Sequence, residues 1–243
     1  MSPGRHARRN AVRILGIAED GRVEFDAPLR HGEDPDLVAY DRGFLAVRPV
    51  DARRDGATGR LHVRLLVQPL ADEPRPRSRG RGQDPDLALT PGVEPEVRQR
   101  VAAYAVVLSD RGLLATEYSD RTAVSGRWGM PGGGLDDGEE PTAAVLREVH
   151  EETAQTVLVG ELVRVQTSHW IGQSPHRTIQ DFHAVRLIYR AHCPIPTDAV
   201  VLDTGGTTES ARWVPVPDWQ RLHWTANWQW ILAELLATVQ SDG

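Results

Sequence analysis

Residues 129–157 have the sequence GMPGGGLDDGEEPTAAVLREVHEETAQTV. Its first half is a tight glycine loop, and Pro141 then supplies a preset φ at the first position of a predicted helix. The acidic Glu139 and Glu140 stand beside the helix start, where negative charge is favoured. We therefore predict a loop followed by a helix that runs from Pro141 to about Thr153.

This helix is predicted to have an apolar face and an acidic face. At about 100° per residue, the apolar face collects Val145, Leu146, Val149 and Thr153. Glu148, Glu151 and Glu152 fall within about 100° of arc on the acidic face. Their carboxylates repel one another, and Arg147, four residues before Glu151, balances only one of them. Magnesium takes a few carboxylates together with substrate phosphates, which favours a metal site over the alternative of a solvated acidic stripe.

The segment resembles the Nudix box, in which a glycine, five residues, a glutamate and seven residues precede R-E-aliphatic-x-E-E-x-G-aliphatic. The matching positions are Gly133, Glu139, Arg147, Glu148, Val149, Glu151 and Glu152. Two positions at the end of Gly133–Gln155 depart from the pattern, because the closing glycine is Ala154 and the next aliphatic residue is Gln155. Alanine tolerates positive φ poorly, so the first departure bears on how the helix ends.

The resemblance implies an α/β fold, a Nudix-type α/β/α sandwich with a mixed sheet, over residues 98–243. It also implies an enzyme, a Nudix hydrolase that cleaves the diphosphate linkage of a nucleoside diphosphate derivative or of a nucleoside triphosphate. ADP-ribose and nucleotide sugars are examples of the first class. The implied cofactor is Mg²⁺ or Mn²⁺, held by Glu148, Glu151 and Glu152.

Further roles follow from the same resemblance. Glu148 is also a candidate general base, Arg147 would orient a glutamate, and Glu139 would brace the loop or reach the metal through water. The candidates for substrate binding are Gly132, Gly133, Gly134, Trp128 and Arg127. For Trp128, packing beneath the loop is an equal alternative. Glu209 is a candidate for a distal catalytic acid, against the alternative of a plain surface residue.

All 28 basic side chains are arginine, since the sequence contains no lysine. This excludes a Walker-type phosphate loop and lysine Schiff-base chemistry. Any protein cation that touches substrate phosphate must then be arginine, and Arg127, Arg177 and Arg186 are the candidates. The lone Cys193 excludes an internal disulfide. The nine histidines lack H-x-x-x-H spacing, which argues against a histidine metal site, and we expect His183 to be a satisfied strand residue rather than a groove residue.

Composition divides the chain into three parts. Residues 1–71 show short strand patterns and predict a small β-rich N-terminal unit, residues 72–97 form a Pro/Arg/Gly-rich linker, and residues 98–243 form the Nudix hydrolase domain. Arginines alternate in the linker, but the net charge of −6 disfavours nucleic acid as a partner. Near the C-terminus, residues 224–239 predict an amphipathic helix that packs on the sheet or forms a homodimer interface.

We expect a cytoplasmic protein with a small-molecule nucleotide as its partner and no membrane contact, because the chain has neither a long apolar run nor a signal-peptide pattern. Two alternatives to the hydrolase stay open. One is a non-catalytic nucleotide sensor or scaffold with the Nudix fold. The other is an RNA-end hydrolase that uses the N-terminal unit.

Overall fold

The computed structural model describes residues 12–77, 80–84, 87, 94–173 and 178–239, with only the backbone of residues 238 and 239. The chain divides into two compact units. The first unit comprises residues 1–103, 134–141 and 161–188, and the second comprises residues 104–133, 142–160 and 189–243.

The first unit contains a four-stranded sheet. Its strands are β1 (Val12–Ile17), β2 (Val23–Pro28), β3 (Phe44–Arg54) and β4 (Leu61–Pro69). They lie in the order β2-β1-β4-β3, with an antiparallel β1–β2 hairpin and a parallel β1–β4 pair. Ile14, Leu61 and Val63 are almost completely buried, as the alternation of apolar residues in β1 and β4 requires. The predicted β-rich character of the N-terminal region is confirmed.

A short helix, α1 (Pro35–Tyr40), joins β2 to β3 and was not predicted. Asp34 caps it by accepting a hydrogen bond from the backbone N–H of Asp36, and Pro35 provides the preset φ of the first turn. Six residues are too few for a helical hydrophobic period to be visible in the sequence.

A mixed eight-stranded sheet forms the second architectural element, which confirms the predicted α/β class. Its main path is β12-β7-β6-β11-β10-β5, while β8 pairs with β7 and β9 with β6. The strands are β5 (Arg81–Gln83), β6 (Glu96–Ser109), β7 (Gly112–Tyr118), β8 (Trp128–Gly129), β9 (Gly132–Gly134), β10 (Leu158–Gln173), β11 (Ile179–His192) and β12 (Thr208–Val214). The long strands β6, β10 and β11 have residues in both units.

Part of the predicted linker is strand. Residues 81–83 form β5, which pairs in parallel with β10 at His169–Ile171. Residues 78–79, 85–86 and 88–93 of this segment lie outside the described residues, as do Arg177 and the chain ends.

The helices of the second unit contribute buried apolar side chains to its core. Helix α2 is Pro141–Thr153, as predicted, and α3 is Ala226–Val239, two residues later than its predicted start; a 3-10 helix spans Val216–Arg221. Val145 and Val149 of α2 are fully buried, and so are Ile231 and Leu232 of α3. The placement of Leu146 in the core was wrong, since 45% of it is exposed at the margin of the apolar stripe.

Trp228 of α3 is buried and packs edge-on against the Tyr104 ring at 5.3 Å between centroids. Its indole N–H also donates to the hydroxyl of Tyr118 over 3.3 Å. These contacts give the helix an intramolecular core role. Across the part of the chain that the structure describes, no helix has the length and apolarity needed to cross a membrane.

Candidate active site

The buried member of the acidic face is Glu152, which is only 9% exposed. Its Oε1 accepts a hydrogen bond from the Thr208 hydroxyl at 2.5 Å, and its Oε2 accepts one from the Gly132 backbone N–H at 2.9 Å. Burial raises the pKa of Glu152 to about 7 because the charged form loses hydration. The two hydrogen bonds lower this pKa, while the neighbouring charges of Glu148 and Glu151 raise it.

Glu148 lies against Gly133 of strand β9, which forms part of the segment predicted as a glycine loop. A Cβ atom added at Gly133 would stand 2.6 Å from Glu148 Oε2, so only glycine leaves room for this carboxylate beside the backbone. The Glu148 side chain is 15% exposed. Helix α2 therefore places a second partly buried carboxylate beside β9.

Arg147 binds the two more accessible carboxylates. Its Nη1 donates to Glu148 Oε1 over 2.8 Å and to Glu151 Oε2 over 3.2 Å, so the expected Arg147–Glu151 contact is present. The Glu151 side chain is 44% exposed. Its backbone carbonyl accepts hydrogen bonds from the N–H groups of Leu202 and Asp203, which join the end of α2 to the loop before β12.

The three glutamates line one small cleft of about 50 Å³. The other lining residues come from the segment that leads into β12: Val201, Asp203, Gly206, Thr207 and Thr208. Asp203 adds a fourth carboxylate to this lining. Burial, and then the charges of Glu148 and Glu151, raise the pKa of Glu152, and a divalent cation would offset the repulsion among these carboxylates. Clustered carboxylate oxygens are ligands that suit Mg²⁺ or Mn²⁺.

Comparison with known proteins decides the family. The family model described as NUDIX domain matches residues 98–236, which is more than half of the chain. The chain belongs to the NUDIX family. The resemblance inferred from the spacing of the box is thereby confirmed, and the three glutamates lie within the matched NUDIX domain.

Individual relatives match shorter segments. Nudix hydrolase 25 of Arabidopsis thaliana is 35% identical over 83 residues, 34% of this chain and 41% of that protein. The RNA pyrophosphohydrolase of Bartonella quintana (strain Toulouse) is 49% identical over 43 residues, 17% of this chain and 25% of that protein. The chain thus spans less than half the length of these curated relatives. A solved NUDIX domain of Shewanella oneidensis NrtR, complexed with ADP ribose, aligns with 18% identity and a TM-score of 0.44 over 58% of this chain and 89% of that one.

Other predicted residues of the NUDIX domain lie in the first unit. Glu139 Oε2 accepts a hydrogen bond from the Asp136 backbone N–H at 2.8 Å, a contact within the glycine-rich loop. Arg54 of β3 donates through Nε to the Glu139 carbonyl oxygen over 2.7 Å. Gly134 faces Arg100, whose Nε would lie 2.6 Å from a Cβ at this position. These contacts fix the loop before α2 against strands of the first unit.

Trp128 is buried, and the Arg212 guanidinium stacks 4.3 Å from its ring centroid. This geometry fits the packing alternative better than contact with a nucleotide base. Arg127 is exposed and contributes backbone hydrogen bonds to the turn after β7. Glu209 is exposed at an irregularity of β12 and is absent from the residues that line the glutamate cleft.

His183 and Arg186 lie on β11. His183 is fully buried, and its Nδ1 lies 2.9 Å from Gln99 Nε2. Its Nε2 is buried without a hydrogen-bond partner among the described residues, so the expectation of a satisfied strand residue holds for only one ring nitrogen. Burial lowers the pKa of His183 to about 4, so its imidazole is neutral at pH 7. Arg186 donates to the Ser168 hydroxyl over 2.8 Å.

Sequence reasoning missed Thr208 and Asp203. Thr208 satisfies the buried Glu152 carboxylate, and Asp203 lines the cleft. Both belong to the segment DTGGTTE, residues 203–209, which ends at Glu209, the distal acid that the sequence did single out. The sequence around Thr208, the first residue of β12, shows no spacing that predicts a hydrogen-bond partner 56 residues away.

Proposed function

We propose that the NUDIX domain hydrolyses the diphosphate linkage of nucleoside diphosphate derivatives or nucleoside triphosphates, with Mg²⁺ or Mn²⁺ as cofactor. One observation carries this proposal: the carboxylates of Glu148, Glu151 and Glu152 line the same cleft, together with Asp203. A domain that only bound nucleotide would have little use for such a set, because a diphosphate is itself an anion and is repelled by it.

The residues present fit a hard divalent cation. Glu148, Glu151 and Glu152 would supply its oxygen ligands. When bound, the cation neutralises phosphate charge and lowers the pKa of water at the site. Thr208 and Gly132 act as positioning groups, since their hydrogen bonds fix the Glu152 carboxylate. Arg147 fixes the other two carboxylates by a forked contact.

One relative supports the substrate class, since it is named an RNA pyrophosphohydrolase. A pyrophosphohydrolase cleaves a phosphoanhydride, so we propose a phosphoanhydride as the group that is cleaved. The absence of lysine means that arginine side chains and backbone N–H groups meet the remaining phosphate charge.

The test is a screen of ADP-ribose, nucleotide sugars, dinucleotides and nucleoside triphosphates with Mg²⁺, with product detection for each. We expect turnover of at least one class, and a loss of about 100-fold or more for Glu152→Gln, because several kcal/mol of metal-borne stabilisation is removed. Glu234→Gln, an exposed substitution on α3, is the matched control and should leave turnover unchanged.

Two results would overturn the proposal. One is full turnover by a folded Glu152→Gln variant at saturating Mg²⁺. The other is tight nucleotide binding by calorimetry without product from any substrate, which would favour the sensor alternative.

A further inference from the structure

A second group of metal-ligating side chains lies in the first unit. His31, His169 and Asp181 bring one ligand atom each within 4.8 Å of one another. The Nε2 atoms of both histidines meet the same oxygen, Asp181 Oδ1, over 2.8 Å from His31 and 2.5 Å from His169. These residues come from three elements: the loop between β2 and α1, strand β10 and strand β11.

Gly32 permits this approach. Its φ of +77° lies in the left-handed region, which glycine adopts without strain. A Cβ atom at this position would lie 2.7 Å from His169 Nδ1. The loop can therefore bring His31 against His169 only because residue 32 has no side chain.

The surroundings of His31, His169 and Asp181 favour binding of a metal ion over exposure of these side chains to water. The side chains of His31, His169 and Asp181 are 24%, 19% and 16% exposed, so they are shielded from water but not sealed. His183 packs edge-on against the His31 ring, with 5.5 Å between centroids. Arg81 Nη1 lies 3.6 Å from the other carboxylate oxygen, Asp181 Oδ2, which leaves Oδ1 directed at the imidazoles.

We propose that His31, His169 and Asp181 bind one divalent transition ion of the Zn²⁺ type, with water as the fourth ligand. Two imidazoles and one carboxylate form a ligand set that zinc accepts, and three protein ligands leave one position open. Tetrahedral coordination at about 2.0–2.1 Å separates ligand atoms by roughly 3.3 Å. The two nitrogen–oxygen distances must therefore open by only about 0.5–0.8 Å, which side-chain rotation can supply.

This site differs in chemistry from the glutamate cleft of the second unit. The glutamate cleft offers only carboxylate oxygens, which suit hard cations, whereas the histidine site offers imidazole nitrogen. The ligands are 138 to 150 residues apart along the chain for the two pairs that include His31. A metal bound there would close a long loop and stabilise the first unit. The proposal does not depend on the hydrolase activity.

The experiment is titration of the full-length, chelator-treated protein with Zn²⁺ and with Co²⁺ in excess Mg²⁺, which occupies the carboxylate site. We expect one high-affinity equivalent by calorimetry and visible Co²⁺ absorption typical of a four-coordinate site with nitrogen ligands. Zn²⁺ should also raise the unfolding temperature, since it binds the folded state.

Variants assign the ligands. His169→Asn and Asp181→Asn should each weaken Zn²⁺ binding by about 100-fold or more, whereas His192→Asn, which changes an exposed histidine, should bind as wild type does. A wild-type titration without a high-affinity equivalent, or a Co²⁺ spectrum of six oxygen ligands, would overturn the proposal without any variant. Wild-type affinity in a folded His169→Asn variant would overturn it as well.

Discussion

Ala154 follows helix α2 with φ +56°, in the left-handed region where the family pattern has glycine. Its N–H donates to the His150 carbonyl oxygen over 2.8 Å, so the helix ends in the usual way despite the alanine. The left-handed conformation costs a residue with a Cβ about 1–2 kcal/mol. Ala154→Gly removes that strain but gives up about 0.5–1 kcal/mol to the greater freedom of unfolded glycine.

We therefore expect Ala154→Gly to raise the free energy of unfolding by about 0.5–1 kcal/mol, or roughly 1–4 °C in Tm for a chain of this size. The matched control is Ala143→Gly, an exposed position inside the same helix, which should lower stability by about 1 kcal/mol. Urea unfolding followed by circular dichroism measures both. An equal decrease in the free energy of unfolding for the two substitutions would show that Ala154 is not strained.

Three further predictions concern single side chains. Gly133→Ala should reduce turnover at least tenfold with little loss of stability, because its Cβ displaces the flexible Glu148 carboxylate; Gly56→Ala, whose Cβ would meet nothing within 4 Å, is the control in the same activity assay. Thr208→Val should cost about 1–3 kcal/mol in urea unfolding by removing the donor to a buried carboxylate, and Thr208→Ser should restore most of it. Burial raises the pKa of Cys193, which is 1% exposed, so a thiol reagent should modify it only after unfolding, and rapid native labelling would contradict its position.

The acidic helix could be predicted because its information is local. Pro141 marks the start, the spacing of the glutamates sets the face, and Arg147 stands four residues before Glu151. All of these signals lie within one segment. In the structure the helix runs from Pro141 to Thr153, as predicted. The prediction that Leu146 is buried was wrong because burial is not a local property. At the edge of an apolar stripe, burial depends on which other elements pack beside the helix.

The remaining features depend on contacts that are remote in sequence. Thr208 reaches Glu152 across 56 residues, and His31 reaches Asp181 across 150. Searching for local histidine spacing could not find such a group, because its members come from a loop and two strands. Gly32 is a local feature of this group, because it lies next to His31 in the sequence. Its role is visible only in the structure, where a side chain at this position would meet the His169 ring.

We propose that the glutamates of α2 hold the divalent cation used in hydrolysis. The Mg²⁺ dependence of turnover in wild type and in Glu151→Gln tests this assignment. Glu151→Gln changes the most exposed of the three carboxylates and should leave folding intact. We expect the Mg²⁺ concentration for half-maximal activity to rise about tenfold or more in the variant, as loss of a metal ligand requires. Identical Mg²⁺ curves with equal maximal turnover would show that Glu151 does not bind the cation.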